Sequence, residues 1–371
     1  MNIGIILSPM EHIQSLKIYT TNLVRNLNNI DKQNEYYLIH HSKVHLDIYE
    51  ENKEIISDPP KIIFNNIWWK FHTLPQDLKS YDLDLVHDIQ GISTFFMKNN
   101  SDYNRVMTIH DLAPLAFPKM YMKATLSDRL LGNKAIKNVD KIISVSKSTK
   151  NDLTRYFNTP KEKIEPIYLG VDEKFKVIDI KQIKNFKEEY NLDFPFILYL
   201  AAFRQRKNIP TLIKAYYLLR KEGLAHKLVL AGQKSDQYRK ILNLVKKLKL
   251  EKDVIFTGFI AADVLPLLYN AADLFIFPSL YEGFGLPPLE AMACGCPVIT
   301  SKTSSLPEVV GDAGLMVNPK SKYELKDAMK TLLINSNLRT ELIKKGINRS
   351  KKFTWKRCAK KTLNVYKEVL E

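Results

Sequence analysis

Between Leu274 and Thr300 the chain reads LFIFPSLYEGFGLPPLEAMACGCPVIT, with seven residues separating its two carboxylates, Glu282 and Glu290. The apolar run ending at Pro278 predicts a strand, and Glu282–Gly285 a loop. Pro287–Cys294 predicts a helix whose early prolines sit where a missing N–H is tolerated, with Gly295 as its stop. A strand, a glycine-bearing loop and a helix N-terminus together suit an anion. Glycine lets backbone N–H groups come close, and the helix dipole favours negative charge at its start. A carboxylate beside a phosphate is unfavourable unless it accepts hydrogen bonds from hydroxyls. A ligand with phosphates between two sets of sugar hydroxyls accounts for both glutamates.

Arg206-Lys207-Asn208 lies at a predicted strand-to-helix turn, where Lys207 and Arg206 could neutralise phosphate and Asn208 could cap the helix. His110 ends one predicted strand and the His87-Asp88 pair another. No histidine pair has metal-ligand spacing on a predicted helix, and no Asp-x-Asp stands at a strand end, so no metal site is expected. The three cysteines, Cys294, Cys296 and Cys358, have neither redox nor zinc spacing and are expected to be reduced and partly buried. Neither half carries the Gly-x-Gly-x-x-Gly turn of a dinucleotide site, which disfavours a dehydrogenase.

The elements that must position these residues alternate. Ile3–Leu7, Tyr36–His40, Leu83–His87, Val106–Ile109 and Lys141–Val145 read as strands. Leu16–Asn29, Leu126–Lys137 and the stretch after Ser146, a good N-cap, read as helices. A polar, lysine-rich passage follows Gly170. Alternation then resumes with strands at Phe196–Ala201, Lys227–Ala231, Val254–Thr257, Asp273–Pro278 and Val298–Ser301, separated by helical patterns. The domains are read as 1–172, a linker at 173–192, a second domain at 193–354, and a C-terminal helix at 355–371 that packs back on the first domain. This is α/β grammar: two Rossmann-like, doubly wound domains, with ligands expected where such sheets end.

With 371 residues, 45% of them hydrophobic and 26% charged, the composition is that of a soluble globular protein too long for one core. No segment approaches the roughly 20 apolar residues of a membrane span. The opening MNIGIILSPM reads as a strand rather than a signal peptide, and a cytoplasmic protein is expected. A net charge of +16 favours acidic partners, or else reflects solvated lysine faces. Together with Phe117–Lys123 it predicts peripheral contact with an anionic membrane, on its inner face. The lysines are dispersed and match no nucleic-acid signature, so no nucleic-acid partner is expected. The helix YRKILNLVKKLKL reads as an apolar core face with a solvated back, and Trp68-Trp69-Lys70-Phe71 as packing under a loop.

The Leu274–Thr300 string closely resembles the signature of glycosyltransferase family 4, retaining enzymes of the two-domain GT-B fold. Thr108–Leu112, Ser144–Ser146, Ile167–Asp172, Arg206–Asn208 and Asp253–Phe259 extend the resemblance over most of the chain. It implies two domains facing each other across a cleft and a metal-independent hexose transfer needing no cofactor. The donor would be a nucleotide-sugar and the acceptor a glycan or lipid-linked glycan. Lys207 with Arg206 would neutralise the departing diphosphate, and Glu290 would bind the ribose hydroxyls. Glu282 and the backbone of Gly283, Phe284 and Gly285 would hold the transferred sugar, towards which His110 would reach. Family habit favours mannose from GDP-mannose. A UDP-hexose or dTDP-rhamnose donor, and a catalytically silent glycan-binding relative, are the alternatives. The chain departs from the family where Gln14-Ser15-Leu16-Lys17 lacks a glycine pair, and at Ala201 and Arg204.

Overall fold

The computed structural model describes residues 1–7, 14–41, 47–58, 69–89, 91, 95 and 103–371. Two compact units divide it: residues 1–170 with 354–371, and residues 171–353.

The first unit is built on seven parallel strands: β1 (Asn2–Ile6), β2 (Glu35–His40), β3 (Lys53–Ile56), β4 (Leu85–Asp88), β5 (Asn104–Ile109), β6 (Lys141–Ser144) and β7 (Ile164–Pro166). Their order is β3-β2-β1-β4-β5-β6-β7. The central strands are buried along most of their length, as expected of a sheet covered on both faces; β5, for example, is buried from Arg105 to Ile109. Ile6, Ile39, Val86, Met107 and Ile142 join one core with Leu153. The longer helices are α1 (Gln14–Ile30), α2 (Met122–Lys137) and α3 (Lys147–Phe157). Ser146 starts α3, its Oγ accepting from the Thr149 N–H at 3.0 Å. Gln14–Lys17, which lacks the family's glycine pair, forms the first turn of α1.

The second unit has six parallel strands: β8 (Phe196–Leu200), β9 (Lys227–Ala231), β10 (Val254–Gly258), β11 (Leu274–Phe277), β12 (Val298–Ser301) and β13 (Leu315–Val317), in the order β10-β9-β8-β11-β12-β13. Its helices are α4 (Ile180–Glu189), α5 (Ile209–Lys221), α6 (Tyr238–Lys247), α7 (Leu265–Ala271), α8 (Leu286–Ala293), α9 (Leu306–Val310), α10 (Lys322–Ile334) and α11 (Ser336–Ser350). Strand residues such as Ile197, Leu228 and Ile276 pack against α5 and α10 through Leu212, Tyr216 and Met329. On the basic helix α6, Ile241 and Val245 turn inward.

Helix α12 (Trp355–Leu370) belongs to the first unit, packed along α1. Its entry needs a glycine: a side chain at Gly170 would collide with the backbone of Thr354 and Trp355. The passage 173–192, read above as a linker, is instead part of the second unit. Despite its lysines it holds α4, which buries Phe186 and lies on α7. Asp179 caps α4 by accepting from the Lys181 N–H.

Candidate functional site

The strand order of the second sheet reverses between β8 and β11, which are adjacent although two strands intervene in sequence. At such a switch point the chains leaving neighbouring strands diverge and open a crevice at the carboxyl ends, where ligands bind in doubly wound sheets. The residues just after β8 are Ala201–Lys207, and those just after β11 are Pro278–Gly285. The fold therefore joins two stretches that sequence treats separately.

Arg206 and Lys207 converge on Glu282. Arg206 Nη1 lies 2.9 Å from Glu282 Oε2, and Lys207 Nζ 2.6 Å from Oε1. Arg206 also donates to the Tyr281 carbonyl, and its own carbonyl accepts from the Leu280 N–H. The Lys207 ammonium lies 4.8 Å from the centre of the Phe277 ring. All three charged side chains are largely enclosed. Burial alone would raise the Glu282 carboxyl, but the two cations outweigh it and hold it down at about 2. It is a carboxylate at any physiological pH.

Asn208, read as a helix cap, occupies the N-cap position of α5 without capping through its side chain. Its backbone is left-handed, with φ of 59°, and its amide donates to the carbonyls of Pro278 and Pro319. Asn208 thereby ties the turn after β8 to the end of β11. Arg204 is exposed, and Ala201 and Gly232 meet so closely that a side chain on Gly232 would strike the Ala201 carbonyl.

The Gly283–Gly285 backbone is buried and leads straight into α8. Gly285, with φ of 115°, holds the N-cap position, a conformation that L side chains avoid. Gly295, with φ of 72°, ends the helix as expected. Between them Glu290 lies on α8, only 7% exposed, and accepts from the Tyr269 hydroxyl at 2.9 Å. Burial pushes the Glu290 carboxyl up to about 7, against the opposing pull of Tyr269 and Lys174. The two glutamates thus differ in kind: Glu282 is a fixed charge, and Glu290 titrates near neutrality.

In the first unit His110 Nε2 donates to the Ile89 carbonyl at 2.8 Å, since a carbonyl can only accept. The ring meets the Tyr19 ring edge-on at 4.8 Å. Burial lowers its pKa and favours the neutral imidazole. His87, the other strand-end histidine, is fully buried and has an internal role. Its Nδ1 lies 2.7 Å from the Tyr366 hydroxyl and its Nε2 2.8 Å from Thr108 Oγ1, which also meets Tyr19 Oη at 3.1 Å.

Sequence reasoning missed Tyr269, Tyr366 and the hydroxyl run Thr303-Ser304-Ser305, which bonds the Glu282 loop. Three consecutive hydroxyls before a proline-opened helix were the available signal for the last. Of the aromatic run, Trp68 lies outside the described residues, while Trp69 is buried and donates to Ser57. The three cysteines are free and buried. Among the described residues no cluster of His, Cys, Asp and Glu could hold a metal ion, and no helix is long and apolar enough to cross a membrane.

Comparison with known proteins gives this geometry its context. Residues 180–349 match the family model for glycosyl transferases group 1, and residues 18–175 that for glycosyltransferase family 4. Over 280 residues, 74% of this chain, the sequence is 35% identical to the serotype-specific mannosyltransferase WbdA of Escherichia coli. That stretch covers 34% of WbdA, so the chain spans about a third of this relative. The O-antigen chain mannosyltransferase B of Escherichia coli is 32% identical over 271 residues, 71% of this chain and 70% of that protein. The crystal structure of HepE from Anabaena in complex with UDP-glucose superposes with a TM-score of 0.81, covering 99% of this chain and 100% of that one. At 18% identity this last likeness shows the fold, which is GT-B. With both halves matched by these models and one relative matched over more than two thirds of its length, the chain belongs to the glycosyltransferases of family 4.

Proposed function

We propose that the protein transfers mannose from GDP-mannose, with retention and without a catalytic metal, to a glycan or lipid-linked glycan. The observation that carries this reading is the convergence of Arg206, Lys207 and Glu282 at the switch point, with Glu290 on the helix that follows. Two enclosed cations and the start of α8 offer the positive field that a departing diphosphate needs. Glu290, with one oxygen bonded to Tyr269, offers the other to ribose. Glu282 and the Gly283–Gly285 backbone hold the transferred hexose, and the part for His110 rests on the family resemblance.

Mannose is favoured by the names of the two relatives, both mannosyltransferases. A UDP-hexose is the second reading, because HepE was solved with UDP-glucose. A thermal-shift screen against GDP-mannose, UDP-glucose, ADP-glucose and dTDP-rhamnose separates the two, since a ligand of the native state alone raises the melting temperature. GDP-mannose is expected to give the largest shift. Product NMR then reads the anomeric configuration, and an inverted product would refute retention. If no nucleotide-sugar binds, the protein is a silent relative and the catalytic reading fails.

A further inference from the structure

The loop between β12 and α9 carries three consecutive hydroxyls, and all three are spent on the loop that holds Glu282. Thr303 Oγ1 donates to the Leu280 carbonyl at 3.2 Å. Ser304 Oγ accepts from the Glu282 N–H at 2.9 Å and donates to the Thr303 carbonyl at 2.8 Å. Ser305 Oγ lies 2.9 Å from the Glu282 carbonyl and 2.6 Å from that of Phe284, its single proton shared between the two.

Two features set this apart from ordinary loop bonding. Ser305 occupies the N-cap position of α9, where a serine hydroxyl normally accepts from the helix's own first-turn N–H groups. Here it makes no such cap and is turned outward onto the neighbouring loop instead. Ser304 holds a left-handed backbone, with φ of 51°, although it is not glycine. Such strain persists where the surroundings over-determine it, and it clusters at functional positions.

The consequence follows from peptide geometry. In a planar trans peptide the carbonyl of one residue and the N–H of the next point in opposite directions, and the described residues contain no cis bond. Drawing the Glu282 and Phe284 carbonyls onto Ser305 therefore directs the N–H groups of Gly283 and Gly285 to the opposite side of the loop. We propose that Ser304 and Ser305 are positioning residues for glycosyl transfer, fixing the loop so that the Gly285 amide and the Glu282 carboxylate face the transferred hexose. This rests on the donor-site reading above.

The test pairs two deletions of a hydroxyl with a control. Ser304→Gly removes the oxygen but leaves a residue at ease in the left-handed region, so the fold is retained. Ser305→Ala removes the donor to both carbonyls, and Glu282→Ala serves as the control. Each is assayed by steady-state kinetics with the nucleotide-sugar selected by thermal shift, by calorimetry with the matching nucleoside diphosphate, and by melting temperature. Misplacement of reacting groups by about 1 Å can cost on the order of 100-fold in rate. A fall in kcat of about tenfold or more is expected in both serine variants. Nucleoside diphosphate affinity is expected to stay within about threefold in both, and the melting temperature of Ser304→Gly to hold. Wild-type kcat in both serine variants beside an inactive Glu282→Ala would overturn the positioning role and leave the donor site standing. Parallel loss of nucleotide affinity and melting temperature would also overturn it, as a purely structural contact. Wild-type turnover in Glu282→Ala, or a screen with no binding donor, would remove the donor-site reading and this inference with it.

Discussion

The Lys207 ammonium and the Glu282 carboxylate meet at 2.6 Å across 75 positions of sequence, with Arg206 on the second carboxylate oxygen. Glu282→Ala would leave two enclosed cations without their anion, and breaking a buried pair in this way costs about 3–5 kcal/mol. The variant is expected to melt earlier than wild type. Its gain in melting temperature on adding a nucleoside diphosphate should exceed that of wild type, because phosphate replaces the lost negative charge. Turnover is expected to fall by about 10²–10³, the usual effect of removing an electrostatic stabiliser. Thermal denaturation with and without nucleotide, beside kinetics, checks this; equal nucleotide-induced shifts in both proteins would contradict it. The pH dependence has a definite sign. The Glu282 pKa falls from 4.5 to about 2 on folding, so its contribution is complete above about 4.5 and disappears as pH drops through 2.

A second prediction concerns the C-terminal helix. Tyr366 on α12 reaches His87 on β4, and burial depresses the imidazole to about 3. Tyr366→Phe leaves a fully buried ring nitrogen without this partner, at about 1–3 kcal/mol. For a unit of this size that is roughly 2–4 °C in melting temperature for each kcal/mol. The depressed pKa means the unfolded chain takes up a proton that the native state refuses. Stability from His87 is thus complete above about 6.5 and declines as pH falls towards 3. His87→Gln, which does not titrate, should show a shallower fall in melting temperature between pH 6.5 and 5. An unchanged slope would show that another group governs the acid limb.

The residues of the candidate donor site could be picked out because they lie in short strings: Glu282, Gly283–Gly285 and Glu290 follow one another, and Arg206-Lys207 are adjacent. Their mutual contact was not legible, since it depends on β11 lying beside β8. Tyr269 and Ser305 are invisible for the same reason. Each approaches its partner from a separate element, and neither residue type is unusual in a core or at a cap. Asn208 shows a residue read correctly by place and wrongly by role. Its positive φ leaves the α5 N–H groups uncapped by its side chain and turns the amide to Pro278 and Pro319. The 173–192 passage misled because a single apolar anchor, Phe186, suffices to dock a helix as polar as α4.

Turnover is expected to survive excess chelator. On the proposed reading, Arg206, Lys207 and the N-terminus of α8 would supply the charge balance that a divalent cation would otherwise supply to a leaving diphosphate. Activity measured after treatment with EDTA, with and without added magnesium or manganese, checks this. Loss on chelation restored by either metal would refute it.

Peripheral membrane contact predicts retention on anionic vesicles at low salt. The first unit exposes Lys119 and Met122, the latter 76% accessible, at the start of α2. Each basic residue near an anionic surface contributes about 1 kcal/mol before screening. Sedimentation with phosphatidylserine vesicles should exceed that with neutral phosphatidylcholine vesicles and decline with salt. Equal retention on both would count against the contact.

The sharpest prediction concerns Glu290. Burial brings its carboxyl to about 7, with Tyr269 and Lys174 pulling downwards and Asp172 upwards. Because the folded pKa is raised, the native state holds a proton that the unfolded chain releases. Stability is therefore lost as pH rises from about 4.5 to 7 and is flat above. Ligand binding should run the other way. A ribose donates its hydroxyls to a carboxylate far better than to a neutral acid, because charged acceptors make the stronger hydrogen bonds. Nucleoside diphosphate affinity is expected to rise with pH up to about 7 and then level. Below that point it should weaken towards about tenfold per pH unit, the limit when only the charged form binds. Tyr269→Phe removes a donor that favours the charged form, so the midpoint should move upwards. Glu290→Gln should bind weakly with no step near 7. Calorimetry with GDP from pH 5.5 to 8.5 on the three proteins measures this, and kinetics should show Glu290→Ala raising the donor KM more than it lowers kcat. A step of equal size and midpoint in Glu290→Gln would assign the titration to another group and remove Glu290 from the ribose.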